Sequence, residues 1–354
     1  MKISEYIARV YEKFSHDIGI DLGTANTLVY VKGRGIVINE PSVVAINTKT
    51  GRVVAVGNSA KDMLGRSPAH IEVVRPLVDG VISDFEVAEE MVAYLLNKAE
   101  NDGRKRFFGP RVVIGVPSQV TNVETRAVRD AARSAGAREV YIVEQPMAGA
   151  IGINLPVHDP LGSMVVDIGG GTTDIAVISL GGIVRSKSLK IAGDRLNADI
   201  ISYVRNEFKI LIGLKTAERL KIEVGKVIPK DKPVEAQIKG RDLVTGLPRE
   251  VVITDSDIRE AIIPALNMLI EAVKEILETT PPEILGDVMH RGMYLIGGGA
   301  LIEGLDKIIS DYTKVPVHIP EDPLTAVVRG TGVIIENLSS YQDVLIPSDE
   351  EFSN

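Results

Sequence analysis

The chain has 354 residues, of which 45% are hydrophobic and 25% charged, and its net charge is -8. That length suits two lobes, each able to bury its own core, and the acidic balance speaks against a general nucleic-acid role, which shows a basic surplus. The absence of cysteine excludes disulfides, thiolate nucleophiles and cysteine metal sites, and the five histidines (His16, His70, His158, His290 and His318) show no ligand spacing. No apolar run approaches a membrane span, and the N-terminus lacks a secretory core, so a cytoplasmic location is expected.

Residues 1–16 read as a helix. From Asp17 the pattern turns to short apolar runs broken by glycine, the sign of strands and tight turns. Spacing predicts a helix over 86–100, a strand over 112–116 ending at Pro117, a helix over about 122–135, a strand over 140–143 and a small-residue helix over 145–153. The opening pattern then returns: MVVDIGGGTTDIAVISLGGIV, from Met164, repeats the order of DIGIDLGTANTLVYVKGRGIV, from Asp17. Strand, aspartate, glycine turn, strand, glycine turn and strand recur, an internal duplication. Beyond it the spacing predicts a long helical stretch over 195–226, a strand-like segment over 234–253, a helix over 255–278, a strand over 293–296 and a helix over 301–312. Alternating strands and helices indicate α/β lobes with partly parallel sheets.

Each repeat carries what triphosphate binding needs: backbone N–H groups brought close to oxygens by glycine, and a carboxylate nearby for Mg²⁺. In the first, Asp21 precedes Gly23, Thr24, Ala25 and Asn26; in the second, Asp167 precedes Gly169, Gly170, Gly171 and Thr172. Either loop alone reads equally well as an ordinary glycine hairpin. Two copies, each with an aspartate ahead of a Gly/Thr turn between apolar strands, favour the phosphate reading. A third glycine cluster, GGGALIEG from Gly297, follows a strand and opens a helix, a natural anion site. It matches neither the dinucleotide spacing, since Ile302 stands at the last glycine position, nor a Walker A loop.

The strings INEPSVVA, VVIGVPSQVTNVETRAV, TAERLKIEVG, TGLPREV, TPPEILGD and PLTAVVRGTG, together with both loops, resemble the MreB family of bacterial actin homologues from Asp17 to about Asn337. That family lies in the superfamily of actin, sugar kinases and heat-shock chaperone ATPases. The resemblance implies an α/β, two-lobed actin-like fold with duplicated ribonuclease H-like lobes and an ATP or ADP cleft between them. Lobe I would span 17–153, with a small subdomain at about 38–78, and be completed by 325–340. Lobe II would span 154–324, with a small subdomain at about 194–254, and an acidic tail would occupy 341–354.

Site roles follow from the same resemblance. Gly23, Thr24, Ala25 and Asn26 would hold β- and γ-phosphates, as would Gly169, Gly170, Gly171 and Thr172. Asp21 and Asp167 would hold Mg²⁺ through water. Gly298, Gly299, Ala300 and Leu301 would flank the adenosine, and Glu218, Arg219, Leu220 and Lys221 would contact ribose and adenine. By spacing alone, Glu218 and Lys221 are a surface helix pair. Glu124 closes a capping box with Thr121; the resemblance adds the task of orienting, with Thr172, the water that attacks the γ-phosphorus. Asp174 stands where many relatives carry glutamate, with a small effect on packing expected.

Ile3, Tyr6, Ile7, Val10, Tyr11 and Phe14 fall on one face of a helix over 1–16, with charges off that face. This suits either an interfacial membrane helix or one packed on protein; its terminal position favours the membrane. Arg104, Lys105 and Arg106 precede Phe107 and Phe108, which suits a loop dipping into anionic headgroups. The implied function is an ATP-dependent filament on the cytoplasmic face of the plasma membrane. It would be a homopolymer of paired antiparallel protofilaments that keeps rod shape and organises wall synthesis. Its ATP hydrolysis would be slow and coupled to assembly, and kinship implies RodZ and MreC as partners. The rivals are a plasmid-segregation or division actin, a chaperone ATPase, which would need a substrate domain after the ATPase, and a metabolite kinase, which would need an acceptor pocket with a base.

Overall fold

The computed structural model describes residues 17–100, 109–229 and 232–347. The expected helix over 1–16, and Phe107 and Phe108, lie outside them. The chain divides into two compact units: Met1–Leu161 with Ile178–Val184 and Leu324–Asn354, and Gly162–Val177 with Arg185–Pro323.

The first unit opens with the antiparallel strands β1 (Ile18–Leu22), β2 (Asn26–Val31) and β3 (Gly35–Pro41). Strands β4 (Val44–Asn47), β5 (Arg52–Val56) and β6 (Ile71–Val74) form a separate small sheet around helix α1 (Asn58–Met63), and β7 (Leu77–Val78) pairs with β8 (Val81–Ile82). Helix α2 (Phe85–Glu100) buries Val87, Met91, Val92, Leu95 and Leu96, the apolar stripe that its spacing predicts. Then come β9 (Arg111–Val116), α3 (Asn122–Ser134), β10 (Glu139–Glu144) and α4 (Gln145–Gly152). β9 runs parallel to both β1 and β10. Buried strands at the middle of a sheet read as continuous apolar runs, as Val112, Val113 and Ile114 do.

The second half repeats the first. β11 (Ser163–Ile168), β12 (Thr173–Ser179) and β13 (Gly182–Leu189) are followed by α5 (Gly193–Phe208), β14 (Ile210–Leu211) and α6 (Leu214–Val224). The hairpin β15 (Glu235–Asp242) and β16 (Pro248–Thr254) leads into α7 (Asp255–Thr279). Helix α7 starts on a capping box between Thr254 and Asp257. After it stand α8 (Pro282–Arg291), β17 (Met293–Ile296), a 3₁₀ turn over Gly298–Leu301, α9 (Leu305–Thr313) and β18 (Val317–His318). The chain then returns to the first unit with α10 (Ala326–Glu336) and β19 (Leu345–Ile346).

Strand order makes the duplication explicit. The first sheet runs β19-β10-β9-β1-β2-β3 and the second β18-β17-β11-β12-β13. Without the added edge strand β19, each element has its counterpart, and the β1–β9 and β11–β17 pairs are both parallel. Each unit has its own apolar core. Two helices of the first unit, α4 and α10, pack at backbone distance. A Cβ on Gly152 would lie 1.8 Å from the Ala326 carbonyl oxygen, and one on Gly330 would lie 1.7 Å from that of Ala148. Only glycine permits this approach, which explains the small-residue strings in both segments.

Some elements differ from the expectations. The stretch over 195–226 is two helices, because Lys209 takes a left-handed conformation (φ 56°) and the fully buried Ile210 joins β15 as a short strand. The helix expected over 301–312 begins only at Leu305, since Gly304 (φ 88°) separates it from the 3₁₀ turn. Helices α1, α8 and α10 were not expected; α8 carries a start signal in its prolines at 281–282. Residues 345–346, expected in a tail, pair with β10.

Candidate functional site

In the first unit Asp21 lies near the end of β1, opposite Leu28 on β2 and Gly115 on β9. Its Oδ1 accepts a 3.0 Å hydrogen bond from the Gln145 amide at the start of α4. Desolvation outweighs that bond and pushes the carboxyl up from 3.8 to about 6. A carboxylate so placed gains from a cation. The turn that follows is tight: a Cβ on Gly23 would lie 2.5 Å from the Asn26 carbonyl oxygen. Ser42 clamps it, its hydroxyl donating to Gly23 O at 2.5 Å and its N–H to Ala25 O at 3.0 Å, while Thr27 Oγ1 lies 2.8 Å from Ser42 Oγ. Thr24 is buried, and its hydroxyl accepts from the Gly80 N–H at 2.9 Å. The loop is therefore held in shape by its own unit.

In the second unit Asp167 is the last residue but one of β11, opposite Ile296 of β17. The loop closes through the Gly169 N–H to Thr172 O at 2.9 Å, which puts Gly170 and Gly171 at its tip. Thr172 is buried, as are Thr173 and Asp174 in the strand behind it. The start of α5 grips the loop: Gly193 N–H donates to Gly169 O at 3.1 Å and Asp194 N–H to Gly170 O at 2.8 Å. Lys221 of α6 donates through Nζ to Gly193 O at 3.0 Å. The third glycine cluster packs on the same strand end. A Cβ on Gly297 (φ 77°) would lie 2.5 Å from Asp167 Oδ1, and one on Gly299 would lie 2.1 Å from Ile168 Cγ2.

The second unit thus brings together Asp167, the Gly169–Thr172 loop, Lys221 and the 297–301 turn. Within 298–301, Ala300 is fully buried and Leu301 is exposed. Two neighbours of Lys221 turn elsewhere. Leu220 is fully buried in the core, and Arg219 reaches Glu223 and the Gln237 carbonyl. Glu218, one turn before Lys221, stays partly exposed.

Glu124 sits in the capping box that its spacing predicts. Its Oε2 accepts from Thr121 N–H at 2.7 Å and Thr121 Oγ1 at 2.8 Å, while its own N–H donates to Thr121 Oγ1 at 3.2 Å. Ser42 and Gln145 escaped the sequence reading. A polar side chain at the last step from β10 into α4, just before Pro146, is the signal that marks Gln145. Ser42 has no such signal, since only the fold brings it to the loop. Among the described residues no group of three His, Asp or Glu side chains forms a metal cluster. A cation beside Asp21 or Asp167 would therefore take its remaining ligands from phosphate and water. The donor set suits Mg²⁺, a hard ion that keeps its waters.

The MreB/Mbl protein family model matches residues 15–343. The chain belongs to the MreB/Mbl family. Cell shape-determining protein Mbl of Bacillus cereus is 49% identical over 325 residues, 92% of this chain and 97% of the relative. Cell shape-determining protein MreB of Escherichia coli K12 is 49% identical over 332 residues, 93% of this chain and 95% of the relative. Among solved structures, MreB5 of Spiroplasma citri bound to AMPPNP is 40% identical with a TM-score of 0.87, over 93% of this chain and 98% of that one. The fold is accordingly actin-like, and the duplicated sheets are its two halves. No helix among the described residues is long and apolar enough to cross a membrane.

Proposed function

We propose that this chain is a cell shape-determining, actin-like filament protein that binds ATP with Mg²⁺. One observation carries the reading: the same aspartate-and-glycine turn stands at the same place in two duplicated sheets. In the second copy it is tied through Gly193 to Lys221. A relative with 40% identity has been solved with AMPPNP. Bound Mg²⁺ would neutralise phosphate charge. Gly23 to Asn26 and Gly170 to Thr172 would hold the phosphates through backbone N–H groups, with the Gly169 N–H closing the second loop on Thr172 O, and Asp21 and Asp167 would hold the ion through water. Lys221 and Glu218 meet the ribose and base, with Gly298 to Leu301 beside the adenosine.

Hydrolysis in such a site is positioning and electrostatics, with no covalent intermediate. Glu124, with Thr172, orients the attacking water in this reading. Its carboxylate must then leave Thr121, so the cap and the catalytic task compete. Gln145 offers a second choice, because its amide already lies on Asp21. Phosphate release separates the two. Glu124→Ala with ATP binding kept and release lost supports the first assignment, and Gln145→Ala with that outcome supports the second. Release unchanged in both variants rejects both.

The same reading has the chain assemble with ATP into paired antiparallel protofilaments on the cytoplasmic face of the plasma membrane. Residues 1–16 and the Phe107–Phe108 loop provide the anchor, and RodZ and MreC are the membrane partners. Many weak anchors on one polymer bind as a unit. Sedimentation with ATP, with and without liposomes, tests this. A chain that stays in the supernatant under both conditions refutes the filament.

A further inference from the structure

One cavity of the first unit has no part in the site described above. Its volume is about 390 Å³, within the roughly 300–1,000 Å³ of small-molecule sites. Its lining comes from the segments 119–125, 144–147, 181–183 and 343–347, all of that unit. Met147, Ile183, Val344 and Leu345 supply apolar wall, and the exposed Gln119 and Asn122 are among its polar residues. Neither Asp21 nor Gln145 lines it.

Glu144 is the residue that marks this cavity. It stands at the N-cap position of α4, yet its side chain makes no cap hydrogen bond. Its Oε2 is shielded from water and accepts no hydrogen bond of normal geometry among the described residues. Burial pushes the carboxyl up, and the nearby Ser118 hydroxyl offsets this only in part. None of the described lining residues is Lys or Arg. The other lining carboxylate, Asp343, is exposed and lies 3.3 Å from His158 Nε2. Residues 348–354, which follow the lining in the chain, hold no Lys or Arg either. A buried carboxylate oxygen left without donors costs free energy, and a ligand that carries donors recovers it.

We infer that this cavity binds a small alkylammonium ion, whose ammonium group donates to Glu144 Oε2 while its chain lies along the apolar wall. Three features select that chemistry. The unmatched oxygen needs a donor, and a charged donor makes the stronger bond to a carboxylate. The wall of Met147, Ile183, Val344 and Leu345 needs a hydrocarbon body, which a bare metal ion lacks. An anion would meet two carboxylates and no Lys or Arg. The ligand has a site of its own, one position along the chain from Gln145, whose amide turns instead to Asp21.

The test uses the full chain without nucleotide and pentylamine as the probe. Calorimetric titration should give one saturable site. 1-Pentanol and pentanoate keep the hydrocarbon but lose the cation, and should bind at least about tenfold more weakly. A chain of net charge -8 attracts amines loosely over its whole surface. Glu144→Gln alters that charge by one and keeps the side chain's shape, so a loss of about tenfold in this variant marks the cavity itself. Asn122→Trp, at an exposed lining position, fills the opening with Glu144 intact and should cause the same loss. Circular dichroism checks that each variant is folded, and the surface variant decides the matter should Glu144→Gln not fold. A parent with no saturable site, pentanol that binds as well as pentylamine, or a folded variant that binds pentylamine like the parent overturns the inference; the cavity then holds water alone.

Discussion

Asp21→Asn should make the nucleotide-free protein more stable at neutral pH while removing the carboxylate proposed to hold Mg²⁺. The Asp21 carboxyl is pushed up from 3.8 to about 6, chiefly by desolvation. A folded-state value above the unfolded one means that the folded chain holds the proton more tightly. The stability this contributes is fully present below 3.8 and is lost as pH rises through about 6. Above that, the ionised group carries a penalty of ~3 kcal/mol, from about 1.4 kcal/mol for each of roughly two units. The carboxyl keeps some access to water, so ~1–3 kcal/mol is the working range. Asparagine bears no charge and still offers Gln145 an acceptor. Urea unfolding followed by circular dichroism, with no nucleotide, should give a higher midpoint for the variant at pH 8 and near-equal midpoints at pH 4. Amide exchange of the β1 and α4 segments should show the same gap locally. A variant less stable than the parent at pH 8, or a gap that does not change with pH, refutes the desolvation account.

Three further outcomes are expected. Gly152→Ala puts a methyl 1.8 Å from the Ala326 carbonyl oxygen, so α4 and α10 must part; it should cost at least the ~1–3 kcal/mol of an overpacked core. Thermal melts would show the loss, and an unchanged melting temperature would contradict the packing described. Lys221→Ala should weaken ATP binding by about tenfold, the loss of one charge-assisted contact of ~1.5 kcal/mol, with little change in melting temperature; calorimetric titration reads it. Asp242 is held down to about 2 by the Thr245 and Val244 N–H groups and Arg249. Its folded value lies below the unfolded one, so its stabilisation is present above 3.8 and is lost as pH falls through about 2. The hairpin of Asp242→Ala should exchange its amides faster than the parent's at pH 7, with the difference closing in acid.

How much of this was legible in the sequence depended on where each signal is stored. The duplication was legible because it is written in local order: aspartate, glycine turn, strand. The structure returns that order as matching strand sequences in two sheets. The capping box at Thr121 was legible for the same reason, since both its partners lie within one turn. Long-range partners were not. Ser42 reaches Gly23 across 19 positions, Gln145 reaches Asp21 across 124, and Lys221 reaches Gly193 across 28. No spacing rule spans such gaps; only the sheet order and helix packing bring these groups together. The split of the 195–226 stretch was hidden differently. Lys209 has no reason of its own to turn left-handed, but Ile210 gains full burial beside β15 by ending α5 there. Burying an isoleucine is worth ~1.5–3 kcal/mol. One left-handed residue costs roughly 1–2 kcal/mol, so tertiary packing overrides the local helical pattern.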